Sequence, residues 1–291
     1  MTNYCIETFR LTKEFGKKTA LNQLDLQVKK GGIHAFVGSN GAGKSTLFRL
    51  LLGLASPTSG RAEILGENCQ NLSTGLRGKV GYVNEEHTLP SWMTVEKVVA
   101  MQKHFYSNWN DSIYQRVIGY FDVDLKQTVS GLSRGERAGF NLSMALAQSP
   151  ELLILDEPTL GLDVVAKQSF LEALMFTETE NESTIIYCSH QMEEVERVAD
   201  NLIILEKGSL KNNSAPDEFV ERIASWVVDF DNKTIDRHAI KGLLSMKQID
   251  GQHHIITVDQ PADLFRQQLQ ALSAKEVHSM GVTLSSAVNA F

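Results

Sequence analysis

Short apolar runs alternate along this chain with longer stretches in which apolar positions recur every three or four residues. Leu24, Leu26 and Val28 share one face of the stretch 21–28, which predicts a half-buried strand. Residues 33–37, 80–83, 152–155, 184–188 and 202–205 are mostly apolar without alternation, which fits strands buried on both faces. Between them lie helical patterns at 44–54, 95–106, 113–121, 136–148 and 164–176. In the first of these, Leu47, Leu50, Leu51 and Leu54 fall on one stripe. Strands alternating with helices predict an α/β fold with a largely parallel sheet covered on both faces. In such sheets ligands bind at the carboxyl ends of the strands.

The pattern changes after Gly208. Residues 211–216 are a polar connector, 226–230 read as a strand, and 238–244 as a helical turn. Residues 246–258 read as a hairpin turning at Asp250-Gly251, because Asp-Gly favours positive φ, and 262–272 as a helix. The expected division is a domain at 1–215, with a helical part at about 90–150, and a small α+β accessory domain at 216–291.

Composition narrows the class. Lys plus Arg total 28 against 35 for Asp plus Glu, a formal charge of −7, so a nucleic-acid partner is not expected. The three cysteines, Cys5, Cys69 and Cys188, have neither metal-ligand nor redox spacing, and reduced thiols in the cytoplasm are expected. No signal peptide is apparent, and no apolar run approaches the ~20 residues that span a bilayer. A role at a membrane would therefore be peripheral, on the cytoplasmic face, and exerted through a partner.

The loop after the 33–37 run reads Gly38-Ser39-Asn40-Gly41-Ala42-Gly43-Lys44-Ser45-Thr46, a full match to G-x-x-x-x-G-K-[ST]. Its glycines let backbone N–H groups converge on phosphate oxygens, and the following helix turns its positive end toward them. Lys44 supplies an ammonium for the β- and γ-phosphates, and the Ser45 hydroxyl a ligand for Mg²⁺. The 152–155 strand runs into Asp156-Glu157-Pro158. Acids at a buried strand exit need metal or hydrogen-bond partners. Asp156 suits Mg²⁺, and Glu157 suits proton abstraction from an attacking water. The 184–188 run ends at Ser189-His190, on the same sheet edge, where an imidazole would face the γ-phosphate or the water.

Leu132-Ser133-Arg134-Gly135-Glu136 reads locally as a capping box, Ser133 at the N-cap and Glu136 three residues on. Lying between a phosphate loop and an Asp-Glu strand, it also resembles the Leu-Ser-Gly-Gly-Gln signature of the ABC (ATP-binding cassette) family. The resemblance covers about residues 1–215. It implies a P-loop NTPase cassette: a mostly parallel sheet, a helical subdomain and an antiparallel β subdomain. It implies an ATPase subunit of a transporter whose membrane permease is encoded separately, using ATP and Mg²⁺ and pairing head to tail as a homodimer or heterodimer. Position by position, Phe15 matches the aromatic that stacks on adenine. Ser133 and Gly135 match contacts to the γ-phosphate of the opposite protomer, and Asp163 the loop crossing that interface. Glu157 is the matching general base and His190 the switch residue.

This sequence departs from the family where Pro-Gln usually follows Gly81-Tyr82-Val83. Here Asn84-Glu85 stand, so Glu85 is expected to ligate Mg²⁺ through oxygen while adding negative charge near the phosphates. Arg134 and Glu136 replace Gly and Gln of the signature, and Leu160 replaces a small polar residue. Glu85, together with Trp109-Asn110-Asp111, resembles a bacterial exporter subgroup. A soluble ABC ATPase acting on ribosomes or DNA is the alternative. Fewer than a hundred residues separate Lys44 from Ser133, which leaves no room for the long coiled coils of the DNA-acting branches.

Overall fold

The computed structural model describes residues 3–180, 183–230 and 235–291. They divide into two compact units, Met1–Asn213 and Ser214–Phe291.

The first unit opens with β1 (Tyr4–Phe15) and β2 (Lys18–Lys29), an antiparallel pair with Thr8 opposite Leu26. The alternation of β2 is real: Leu24, Leu26 and Val28 are buried while the residues between them are exposed. β1 also pairs with β4 (Ser59–Ile64), which pairs with β5 (Glu67–Asn68), giving a four-stranded antiparallel sheet.

The second sheet holds β3 (Ile33–Val37), β6 (Val80–Val83), β7 (Leu152–Asp156), β8 (Thr184–Cys188), β9 (Asn201–Glu206) and β10 (Ser209–Ser214). Its order is β10-β9-β3-β8-β7-β6. The pairs β3–β8, β3–β9, β7–β8 and β6–β7 are parallel. Every residue of β3, β7 and β8 is buried, as their unbroken apolar runs predict. The helices of this unit are α1 (Lys44–Leu51), α2 (Thr74–Arg77), α3 (Val95–Phe105), α4 (Asp111–Ile118), α5 (Arg134–Ala147), α6 (Val164–Glu180) and α7 (Met192–Val198). Helix α1 buries Leu47, Phe48, Leu50 and Leu51 in one core with Phe36 of β3, and the Phe36 and Phe48 rings meet edge-on at 5.5 Å. On the other side, Phe170 and Leu174 of α6 and Leu142 and Leu146 of α5 pack with Leu153, Leu155 and Tyr187.

Helix α1 ends earlier than its apolar stripe predicts. Gly53 turns at φ 69°, and a Cβ there would lie 2.7 Å from the Cys69 carbonyl, so the chain leaves the helix and exposes Leu54.

The second unit is a four-stranded antiparallel sheet of β11 (Ile223–Phe230), β12 (Leu243–Ile249), β13 (Gln252–Val258) and β14 (Ala274–Met280). Its order is β12-β13-β11-β14, and it is accompanied by α8 (Pro216–Glu221), α9 (Ala262–Ala271) and α10 (Leu284–Val288). Phe265 and Leu269 of α9 pack on Trp226, Val228 and Ile255. The hairpin turns at Asp250 (φ 50°) and Gly251 (φ 87°). The helical turn predicted at 238–244 is confined to Arg237–Ala239; Leu243 joins the sheet opposite Thr257. Among the described residues no helix is long and apolar enough to cross a membrane.

Candidate active site

The phosphate loop links β3 to α1 at the carboxyl edge of the parallel sheet. Two glycines make its path possible. A Cβ on Gly38 would lie 2.3 Å from the Leu205 carbonyl, and one on Gly43 (φ 108°) 2.6 Å from the Ala20 carbonyl. Gly43 is the N-cap of α1 and no side chain caps the helix, so its first-turn N–H groups point into the loop unclaimed by a capping oxygen. Lys44 is buried, and its Nζ donates to the Gly38 carbonyl at 2.6 Å. The loop forms one wall of a cleft of about 870 Å³ whose lining includes all of residues 38–46. Phe15, at the end of β1, is 55% exposed at this cleft with Lys13 Nζ 5.0 Å from its ring centroid, so its ring is open to a flat aromatic ligand.

Parallel pairing of β7 with β8 sets Asp156 opposite Cys188, so both strands deliver their polar residues to one edge. Glu157 leaves β7 at φ 51°, a left-handed conformation unusual for glutamate, and its N–H donates to the Cys188 carbonyl at 3.1 Å. Its carboxylate accepts a bond from His190 Nδ1 at 2.8 Å and one from the Cys188 thiol at 3.8 Å. Glu157 and His190 line the same cleft as the phosphate loop. Burial pushes the Asp156 carboxyl above its ordinary value, as does the adjacent Glu157 charge, while bonds from Cys188 and Ser45 act the other way. Burial, with the nearby carboxylates, also keeps Cys188 a thiol.

Glu85 lines the cleft as well. Its loop is clipped at both ends: Asn84 Oδ1 accepts from the Thr88 N–H at 3.2 Å, and Asn84 Nδ2 donates to Thr88 Oγ1 at 3.1 Å. Within it His87 is 2% exposed and its Nε2–H donates to the Pro158 carbonyl at 2.9 Å. Burial pushes this imidazole down to about 4, and the positive charges of Arg134 and Arg137 add to the effect. The donors around the loop, a Ser45 hydroxyl in contact with the Asp156 carboxylate and a Glu85 carboxylate, are all hard oxygens, the set that suits Mg²⁺.

Comparison with known proteins decides what such a cleft belongs to. A family model described as ABC transporter matches residues 21–160. The bacitracin transport ATP-binding protein BcrA of Bacillus licheniformis is 34% identical over 212 residues, covering 70% of this chain and 68% of its own length. The Nod factor export ATP-binding protein I of Bradyrhizobium diazoefficiens is 32% identical over 243 residues, covering 81% of this chain and 79% of its own. The chain belongs to the ABC transporter ATP-binding subunits. A solved structure of an ATP binding subunit of an ABC transporter superposes with a TM-score of 0.67 at 26% identity, over 75% of this chain and 92% of that one. The cassette is accordingly an ATP-binding, ATP-hydrolysing subunit of a transporter.

Not every residue anticipated for the ABC site lies in the cleft. Phe15, residues 38–46, Glu85, Glu157 and His190 line it; Ser133, Gly135, Asp163 and Asp156 do not. Asp156 is 9% exposed and in contact with Ser45. Ser133 forms the capping box its spacing predicts: its Oγ accepts from the Glu136 N–H at 3.2 Å, and Glu136 accepts from the Ser133 N–H at 2.6 Å. Gly135 sits where α5 meets α6, and a Cβ there would be 2.8 Å from the Ala166 methyl. Asp163 Oδ1 accepts from the Ala166 N–H at 2.9 Å, at the start of α6. Arg134, in place of the family glycine, lays its guanidinium where a Cβ on Gly161 would come within 2.6 Å. Asn110 caps α4, and the Trp109 indole donates to Asp111 at 3.1 Å, so this segment has local structural work of its own.

Sequence reasoning passed over Lys18 and Ala20, which line the cleft; their place at the start of β2, just past the turn that follows Phe15, is the signal that points to them. It also passed over Glu194 of α7. This carboxylate is 5% exposed and accepts bonds from Thr159, Tyr187 and Ser189. An acid at a buried helical position four residues beyond His190 is its only mark in the sequence.

Proposed function

We propose that two such subunits, identical or paralogous, sandwich two Mg-ATP and drive a separately encoded permease from the cytoplasmic face of the membrane, in the direction of export. One relative supports the direction, since its name states Nod factor export. The catalytic reading rests on one contact above all, the 2.8 Å bond between His190 and Glu157 at the mouth of the phosphate loop.

In this reading the N–H groups of residues 38–46 and the Lys44 ammonium hold the phosphates, and Phe15 stacks on the adenine. Ser45, Asp156 and Glu85 hold Mg²⁺, which when bound neutralises charge on the phosphate oxygens. Glu157 takes a proton from the attacking water, and His190 orients that carboxylate. Ser133, Gly135 and Asp163 act on the nucleotide of the opposite subunit; their position outside this subunit's own cleft supports that role. The accessory domain 216–291 serves dimerisation or regulation.

The partner is tested by tagging the chain in its native cell, solubilising membranes in mild detergent and identifying what co-purifies. A polytopic membrane protein in near-equal amount is expected. Ribosomal or DNA-repair proteins without one would overturn the transporter assignment.

A further inference from the structure

Glu194, outside the cleft lining, is a buried carboxylate bonded to three hydroxyl groups. A carboxylate at 5% exposure is costly unless its lone pairs are filled. Here one oxygen, Oε2, accepts three hydroxyl bonds: from Thr159 at 2.8 Å, Tyr187 at 2.7 Å and Ser189 at 2.8 Å. The other oxygen, Oε1, has no hydrogen bond among the described residues; Lys167 Nζ, itself bonded to Gln191, lies 3.6 Å away, so the carboxylate is held through Oε2.

The origin of these donors matters more than their number. Thr159 stands two residues beyond Glu157, on the segment leaving β7. Ser189 immediately precedes His190, on the segment leaving β8, and its Oγ also accepts from the Gln191 N–H at 3.1 Å. Tyr187 lies within β8. The two strands are hydrogen-bonded as far as Asp156 and Cys188. The Glu157 N–H bond to the Cys188 carbonyl continues that pairing by one step. Beyond that point one buried oxygen ties them together, and a hydroxyl bonded to an ionised carboxylate is among the stronger hydrogen bonds a protein makes. The Glu157–His190 contact at 2.8 Å spans the same two segments on their cleft side.

We propose that Glu194 is a positioning residue of the ATPase reaction: by binding Thr159 and Ser189 to one oxygen it fixes the separation of the two strand exits and so holds Glu157 and His190 in contact. Glu194 does not line the cleft and acts only through these neighbours. The inference rests on the catalytic roles given above to Glu157 and His190.

The test is steady-state ATP hydrolysis by the purified full chain carrying Thr159→Val, which keeps the side-chain shape and removes the donor. From the usual weight of a hydrogen bond to a charged group, kcat is expected to fall about tenfold with KM for ATP within about twofold. Thr159→Ser, which restores the hydroxyl without the methyl group, is expected to recover kcat to within about twofold on the same grounds. Ser189→Ala removes the donor from the other exit and carries the same expectation should Thr159→Val fold poorly. Wild-type kcat in both donor-deleted variants, or a loss that Thr159→Ser does not recover, would overturn the proposal. A Glu157→Gln control separates the two levels: if it turns over normally, the catalytic reading itself has failed, whereas an inactive control beside wild-type kcat in both Thr159→Val and Ser189→Ala defeats the role of Glu194 alone.

Discussion

His190 Nδ1 donates to Glu157 Oε2 across 2.8 Å, joining the exits of two adjacent parallel strands. The imidazole is half exposed and the carboxylate largely buried, so the contact holds the glutamate while leaving the pair accessible from the cleft. Replacing His190 by Ala frees the carboxylate to rotate. Turnover is expected to fall by about 10²-fold, the lower end of what general-base chemistry supplies, with little change in KM. Steady-state kinetics over an ATP series measures both parameters.

Gly43 tests the loop geometry. An alanine there would combine an unfavourable φ of 108° with a Cβ 2.6 Å from the Ala20 carbonyl and 2.8 Å from Leu21 Cδ2. Because the nearest atom is backbone, the clash cannot be relieved by a rotamer change. Gly43→Ala is expected to cost about 1–3 kcal/mol of stability, read as a lowered midpoint of denaturant unfolding. Gly41→Ala meets no atom within 4 Å and is expected to cost less.

Glu85 brings a formal negative charge to a cleft that also holds Glu157. Glu85→Gln removes that charge and keeps one oxygen for a metal. If Glu85 ligates Mg²⁺, the Mg²⁺ concentration for half-maximal ATPase activity is expected to rise several-fold, because ligand charge tunes affinity for hard cations. A metal titration of turnover at saturating ATP reads this directly, and an unchanged midpoint would remove Glu85 from the ligand set.

His34 lies in β3, away from the cleft lining, and gives a pH dependence of stability. Burial lowers its pKa from the ordinary value, against a raising contribution from its bond to the Gly31 carbonyl at 3.0 Å. The unfolded chain therefore binds the proton more readily than the folded one. Stability is unaffected by this group above about pH 6.5, and is lost as pH falls from there through the lower folded value. Unfolding free energies measured between pH 8 and pH 5 are expected to decline less steeply in His34→Gln than in the wild type.

What the sequence makes legible is local in origin. The phosphate loop and the Ser133–Glu136 capping box can be read because their spacing is their geometry. The buried strands can be read because two covered faces demand continuous apolar residues. The end of α1 cannot be read from its stripe, because it depends on the Cys69 carbonyl approaching Gly53 from another element. Leu243 reads as part of a helical turn because its pairing with Thr257 is a property of the sheet. Glu194 is the clearest case. Its three donors are Thr159 beyond β7, Tyr187 within β8 and Ser189 beyond β8, and only the pairing of β7 with β8 brings them side by side.

The most direct measurement is ATP hydrolysis by the purified chain carrying Glu157→Gln, alongside its binding of ATP. The substitution keeps the size of the side chain and removes its capacity to take a proton. Turnover is expected to fall by about 10²–10⁴-fold with nucleotide binding retained. Turnover near the wild-type rate would contradict the assignment of Glu157 as the base, and with it the catalytic account of the cleft.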